Sequence, residues 1–182
     1  MSFPIQGLSP APFADLYGAS EAELTARGAV RYVVDCTPGF PDRVELRGAA
    51  PGQTVLLVNH VSQPADTPYR ASHAIFVREG ATAAFDEVDV VPEAFRSRLL
   101  SLRAFDAAGM MVDADVVEGG EIEGLIGRLL DDIRVDRIHA HFAKRGCFAA
   151  RITRALSNTA KAARRARRSP ATAPACESCG RC

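Results

Sequence analysis

Two periodicities run along the chain. Apolar residues recur at every second position as Leu100, Leu102 and Ala104, and again as Val112, Ala114 and Val116. A period of two predicts strands with one buried face, here residues 99–106 and 110–117. The loop between them, Ala107-Ala108-Gly109, puts glycine where a three-residue hairpin needs a left-handed conformation. Residues 121–130 instead carry Ile122, Leu125, Ile126, Leu129 and Leu130 at helical spacing, which predicts an amphipathic helix.

Other segments follow from composition and punctuation. Residues 54–60 are almost wholly apolar and predict a strand buried on both faces in the middle of a sheet. Further strands are predicted at 30–36, 43–47, 73–78, 137–142 and 147–153. Ser20-Glu-Ala-Glu23 reads as a capping box that opens a short helix, and Gly28 closes it. Pro92-Glu93 starts another short helix. Residues 85–91 are acidic and ambiguous. Together these predict an α+β fold: one domain over 1–156, mainly antiparallel sheet of about six to eight strands, with one or two covering helices. Leu57, Phe76, Leu102, Val112, Leu125 and Phe148 are its expected core.

The hairpins decide where chemistry can gather. In the first, the three-residue loop sets Arg103 opposite Asp113 and Ser101 opposite Asp115, leaving the other face apolar. In the second, a four-residue loop would place Arg151 opposite Ile138 and mix the faces. A five-residue loop separates them, with Ile138, Ala140, Phe148, Ala150 and Ile152 on one side and His139, His141, Cys147, Ala149 and Arg151 on the other. This register sets His141 opposite Cys147. If both hairpins share a sheet, Arg103, Asp113, Asp115, His139, His141, Cys147 and Arg151 can face the same way.

Histidines two apart on a strand point to one side, so His139 and His141 are candidate acid/base groups. Asp113 and Asp115 at the same spacing are candidate metal ligands beside them. The same pattern also fits a solvent-facing sheet with ordinary cross-strand ion pairs. Cys147 is a candidate nucleophile if a histidine activates its thiol; otherwise it is a half-buried structural cysteine. Arg70-Ala-Ser72-His73 leaves a proline-containing loop and enters a strand. Arg70 and Ser72 can bind a ligand there, and His73 can exchange a proton. His60 ends the central strand close to that loop and joins the ligand-binding set.

Charge divides the chain. Its 22 basic and 22 acidic residues cancel, yet residues 1–155 carry a net −5 and residues 156–182 a net +5. The apolar pattern stops after Leu156, and alternating alanine and arginine give way to proline and small residues. Such a segment cannot bury enough surface to fold alone, so 157–182 is expected to be a disordered tail. Its arginines suit acidic partners, or weak non-specific contact with nucleic acid. Cys176, Cys179 and Cys182 are three thiols without a fourth ligand nearby. The acidic body argues against nucleic acid as the main partner. No apolar run approaches the roughly 20 residues of a membrane helix, and the N-terminus lacks a signal-peptide pattern. A soluble cytoplasmic protein is expected. Glycine-rich phosphate loops, the dinucleotide fingerprint and the Gly-x-Ser-x-Gly elbow are absent. Nothing in the pattern specifies a cofactor or an oligomeric state.

Four segments in order carry a resemblance: Pro68-Tyr-Arg-Ala-Ser-His-Ala-Ile-Phe-Val-Arg-Glu79, Phe85-Asp-Glu-Val-Asp-Val-Val-Pro92, Leu99-Leu-Ser-Leu-Arg-Ala-Phe-Asp106 and His139-Ala-His-Phe-Ala-Lys-Arg-Gly-Cys-Phe-Ala149. The chain resembles the bacterial family called domain of unknown function 1203 over roughly residues 3–156. That resemblance implies no activity, substrate or cofactor. Two functions remain in view. One is a small-molecule enzyme or ligand-binding domain with a His/Arg/Cys-lined site. The other is a non-catalytic interaction module whose basic tail tethers acidic partners.

Overall fold

A computed structural model describes residues 2–155. The tail and its three cysteines lie outside the described residues.

The chain builds two antiparallel sheets. The larger has six strands: β1 (Pro4–Gln6), β5 (Asp86–Val88), β6 (Leu99–Phe105), β7 (Met111–Glu118), β8 (Arg137–Phe142) and β9 (Cys147–Thr153), in the order β5-β1-β9-β8-β6-β7. The smaller joins β2 (Val30–Val33), β3 (Thr54–Gln63) and β4 (Ala71–Arg78) in sequence order. Three short helices accompany them, α1 (Glu21–Ala26), α2 (Glu93–Arg96) and α3 (Ile122–Asp131).

The amphipathic segment forms α3 as its spacing predicts. Ile122, Leu125, Ile126, Leu129 and Leu130 are buried against Leu100, Leu102, Ala104, Ile138 and Ala140, so the helix covers one face of the larger sheet. The capping box at α1 is complete: the Ser20 hydroxyl accepts from the Glu23 backbone N–H, and Glu23 accepts from the Ser20 backbone N–H. Pairing of β6 with β8 joins the two hairpins in one sheet, which puts Arg103 opposite His139 and Ser101 opposite His141.

The smaller sheet packs on the other face. Leu56, Val58, Ile75 and Val77 on its inner side share a buried cluster with Phe148 of β9, and Phe13, Leu16 and Leu24 from the N-terminal segment close that cluster. Burying these groups between the sheets is the main favourable term holding the layers together.

Several expectations need correction. Residues 43–47 form no strand. Arg43 is instead buried there, donating to the carbonyls of Pro41 and Phe148. The 54–60 run is covered on both faces only near Val55 and Leu56. Leu57 and Phe76 are half-buried because a local cluster of Tyr32, Phe40 and Phe76 rings is the main cover on the outer face. Val112 is half-buried as well. Leu102, Leu125 and Phe148 are core residues.

Three β-bulges set the register, at Ser62, Val112 and Ala149. Each adds one residue to one strand, and each such insertion turns the following side chains to the opposite face.

Candidate functional site

The second hairpin shows what a bulge does. It uses the four-residue loop, so Phe142 pairs with Cys147 and His141 with Phe148. Alone, that register would mix the faces. The extra residue Ala149 restores it, and His139 then pairs with Arg151 and Ala140 with Ala150. The result combines the turn of one register with the faces of the other. Phe148 now lies beside the histidines, with its ring 5.2 Å from His139 and 5.8 Å from His141.

Cys147 is thereby turned away from His141. Its Sγ lies on the α3 side, 3.0 Å from an Arg43 guanidinium nitrogen, and the residue packs on the core there. The expected thiol–imidazole pair is not formed. In the first hairpin, the bulge at Val112 sets Asp113 opposite Ala104 and Asp115 opposite Leu102. Both carboxylates face α3, where Arg128 donates to Asp113 at 2.9 Å and to Asp115 at 2.8 Å. They are therefore separated from the histidines by the sheet itself. Among the described residues no three His, Cys, Asp or Glu side chains converge to hold a metal ion. The Asp113/Asp115 metal assignment is corrected accordingly.

What does converge is histidine. The chain has four, and the packing of the two sheets brings all of them together. His60 and His73 pair across β3 and β4. The ring of His73 meets that of His141 edge-on at 4.9 Å, and His139 lies 6.4 Å from His141. His60 stands behind Phe148, with ring centres 5.8 Å apart.

His73, His139, His141 and Arg103 line a cavity of about 200 Å³. Tyr69, Phe105 and Met111 give it an apolar wall, and Arg70 stands among its lining residues. Arg70 is exposed and donates to the Pro64 carbonyl at 2.6 Å. Ser72 is also exposed and lies on the strand face opposite His73, so it is excluded from the site. Ser62 supplies the hydroxyl instead: as the bulged residue of β3 it places its Oγ 2.9 Å from His73 Nδ1. Its neighbour Gln63, also lining the cavity, accepts from Arg137 at 3.3 Å.

Burial dominates the electrostatics. His139 and His141 are almost fully buried, and desolvation pushes both down to about 3. Arg103 adds to this at His141, and the neighbouring His141 adds to it at His139. Burial also lowers His60 and His73, helped at His73 by Arg103. The imidazoles are thus neutral around pH 7 and act as neutral hydrogen-bonding groups. His141 Nδ1 lies 3.0 Å from the Gly146 carbonyl, which can only accept, so the proton sits on Nδ1 and Nε2 carries the lone pair.

Sequence reasoning placed Arg103 on the histidine face but left it out of the site. It did not find Ser62, Gln63, Phe105 or Met111. The hairpin register was a signal for Arg103 and Phe105, whereas Ser62 is set by a bulge against a strand of the other sheet.

A family model described as a protein of unknown function, DUF1203, matches residues 39–154. No curated protein and no solved structure matches the chain.

Proposed function

We propose that this chain, which belongs to the DUF1203 family, is a small-molecule-binding domain that works through the histidine and arginine cavity between its two sheets. The observation that carries this reading is the convergence of His73, His139, His141 and Arg103 on one cavity built from both sheets. Buried polar groups are costly unless they have partners, and a ligand that partners them offsets that cost. The neutral histidines offer ring nitrogens that accept a hydrogen bond from the bound molecule. We place the folded domain at 1–156.

The test is a thermal-shift screen of small acids, amines and neutral polar compounds on the full chain. A hit is expected to raise the melting temperature, and the shift should vanish when Met111→Trp fills the cavity. Hits that persist unchanged in that variant would assign binding elsewhere and overturn the reading. The basic residues of 157–182 support a separate role as a tether for acidic partners, consistent with their net charge of +5 with Arg and Lys against one Glu.

A further inference from the structure

We infer that the ligand of this cavity is a small hydroxycarboxylate-like monoanion, with its carboxylate on Arg103 and its hydroxyl donating to a neutral histidine. The inference rests on the small-molecule-binding reading above and names the ligand class.

Charge comes first. The described part of the chain is acidic, yet none of the described residues lining the cavity is acidic. Arg137, beside the cavity, is already matched by Asp136 at 2.9 Å. Arg70 spends a donor on the Pro64 carbonyl. Arg103 is half-buried, and among the described residues no ion pair or hydrogen bond engages its guanidinium. A half-buried guanidinium offers a fixed fork of donors that matches a carboxylate.

Neutral histidines leave the charge of the cavity to its arginines. Arg70 and Arg103 both line it and both stay cationic, but Arg70 is exposed and already donates to the Pro64 carbonyl, so the half-buried Arg103 offers the whole donor fork, which fits one carboxylate. The histidines also set its second group. His141 uses its Nδ1 proton on the Gly146 carbonyl and keeps a lone pair on Nε2, so it seeks a donor. A carboxylate alone offers none, and a hydroxyl does.

Size and wall complete the description. At about 200 Å³ the cavity falls below the roughly 300–1,000 Å³ of drug-sized sites. Tyr69, Phe105 and Met111 provide apolar contact for a short carbon skeleton.

The experiment titrates the full chain with lactate, propionate, lactamide and inorganic phosphate. It follows the ring-proton NMR signals of the four histidines. Lactate is expected to shift His139 and His141. Propionate, lacking the hydroxyl, and lactamide, lacking the charge, should bind about tenfold or more weakly. Arg103→Gln should weaken lactate by about tenfold or more and leave lactamide unchanged, with Arg103→Lys in between because it keeps charge but loses the fork. A melting curve confirms that each variant folds. Equal binding of lactate and lactamide, or no effect of Arg103→Gln, would overturn the anion assignment while leaving the cavity a binding site. Equal binding of propionate would remove the hydroxyl. Phosphate binding more tightly than lactate through Arg103 would replace the carboxylate. If neither these probes nor any screening hit moves the cavity histidines, the small-molecule reading fails as well.

Discussion

Acid should loosen this protein well before its carboxylates titrate. The perturbation is a change from about pH 7 to about pH 5. An unfolded imidazole has its ordinary value of 6.5, whereas His139 and His141 are held near 3 by burial between the sheets. At the lower pH the unfolded chain therefore binds protons that the folded chain refuses. Stability is full above the unfolded value and falls as the pH drops towards the folded one. The loss is about 2 kcal/mol per histidine, or about 4 kcal/mol for the pair. Its size is set by the unfolded value, because any folded value below about 4 leaves the imidazole neutral at that pH. His60 and His73, also lowered by burial, add in the same direction. A typical domain has only about 5–15 kcal/mol in total, so the effect is large. The carboxylates do not obscure it. The Arg134 hydrogen bond holds Asp132 at about 2, and the Arg78 hydrogen bond lowers Glu45; both lose their contributions only as the pH falls through the usual carboxylate range and below. The assay is urea unfolding at the two pH values, followed by circular dichroism, with a ring-proton titration of the folded protein beside it. An unfolding free energy unchanged within about 1 kcal/mol, or ring signals of His139 and His141 that titrate near 6.5, would refute the reasoning.

Other consequences can be measured with single variants. Gly109 has φ +90°, and a Cβ there would lie 2.5 Å from the Ala65 Cβ. Gly109→Ala should therefore cost about 1–3 kcal/mol in denaturant unfolding and weaken ligand binding, because Gln63 and Thr67 both donate to the Gly109 carbonyl and hold the cavity's loop. Asp113→Asn with Asp115→Asn should cost no more than about 1 kcal/mol per exposed ion pair in the same assay and leave ligand affinity unchanged; a loss of affinity would put the carboxylates back in the site. A chain ending at residue 156 should keep the denaturant midpoint of the full protein and lose affinity for heparin, since the excess positive charge lies beyond it.

Much of the architecture was legible because it is local and periodic. The spacing of Ile122, Leu125, Ile126, Leu129 and Leu130 requires a helix with one buried face, and α3 buries those residues. The capping box at Ser20 forms from groups only three residues apart. The face shared by Arg103, His139 and His141 was also legible, since alternation along a strand fixes sidedness and the two hairpins do share a sheet. Strand β1 was not, because Pro4–Gln6 is too short to show a period and is held by pairing with β5 and β9.

The site's final membership was decided elsewhere. One inserted residue, Ala149, sends Cys147 to one side of the sheet and Phe148 to the other, where Phe148 fills the contact with Leu56, Ile75 and Val77. Another, Val112, carries Asp113 and Asp115 to Arg128. A third, Ser62, meets His73 from the neighbouring strand. A bulge costs ladder pairing locally, and what offsets that cost here is packing between surfaces far apart in the chain. By itself, therefore, the sequence determined the elements and which strand faces are polar. Only the stacking of the sheets decided that His73 meets His141, that Cys147 does not, and that Arg103 faces a cavity, because those outcomes depend on contacts no local pattern contains.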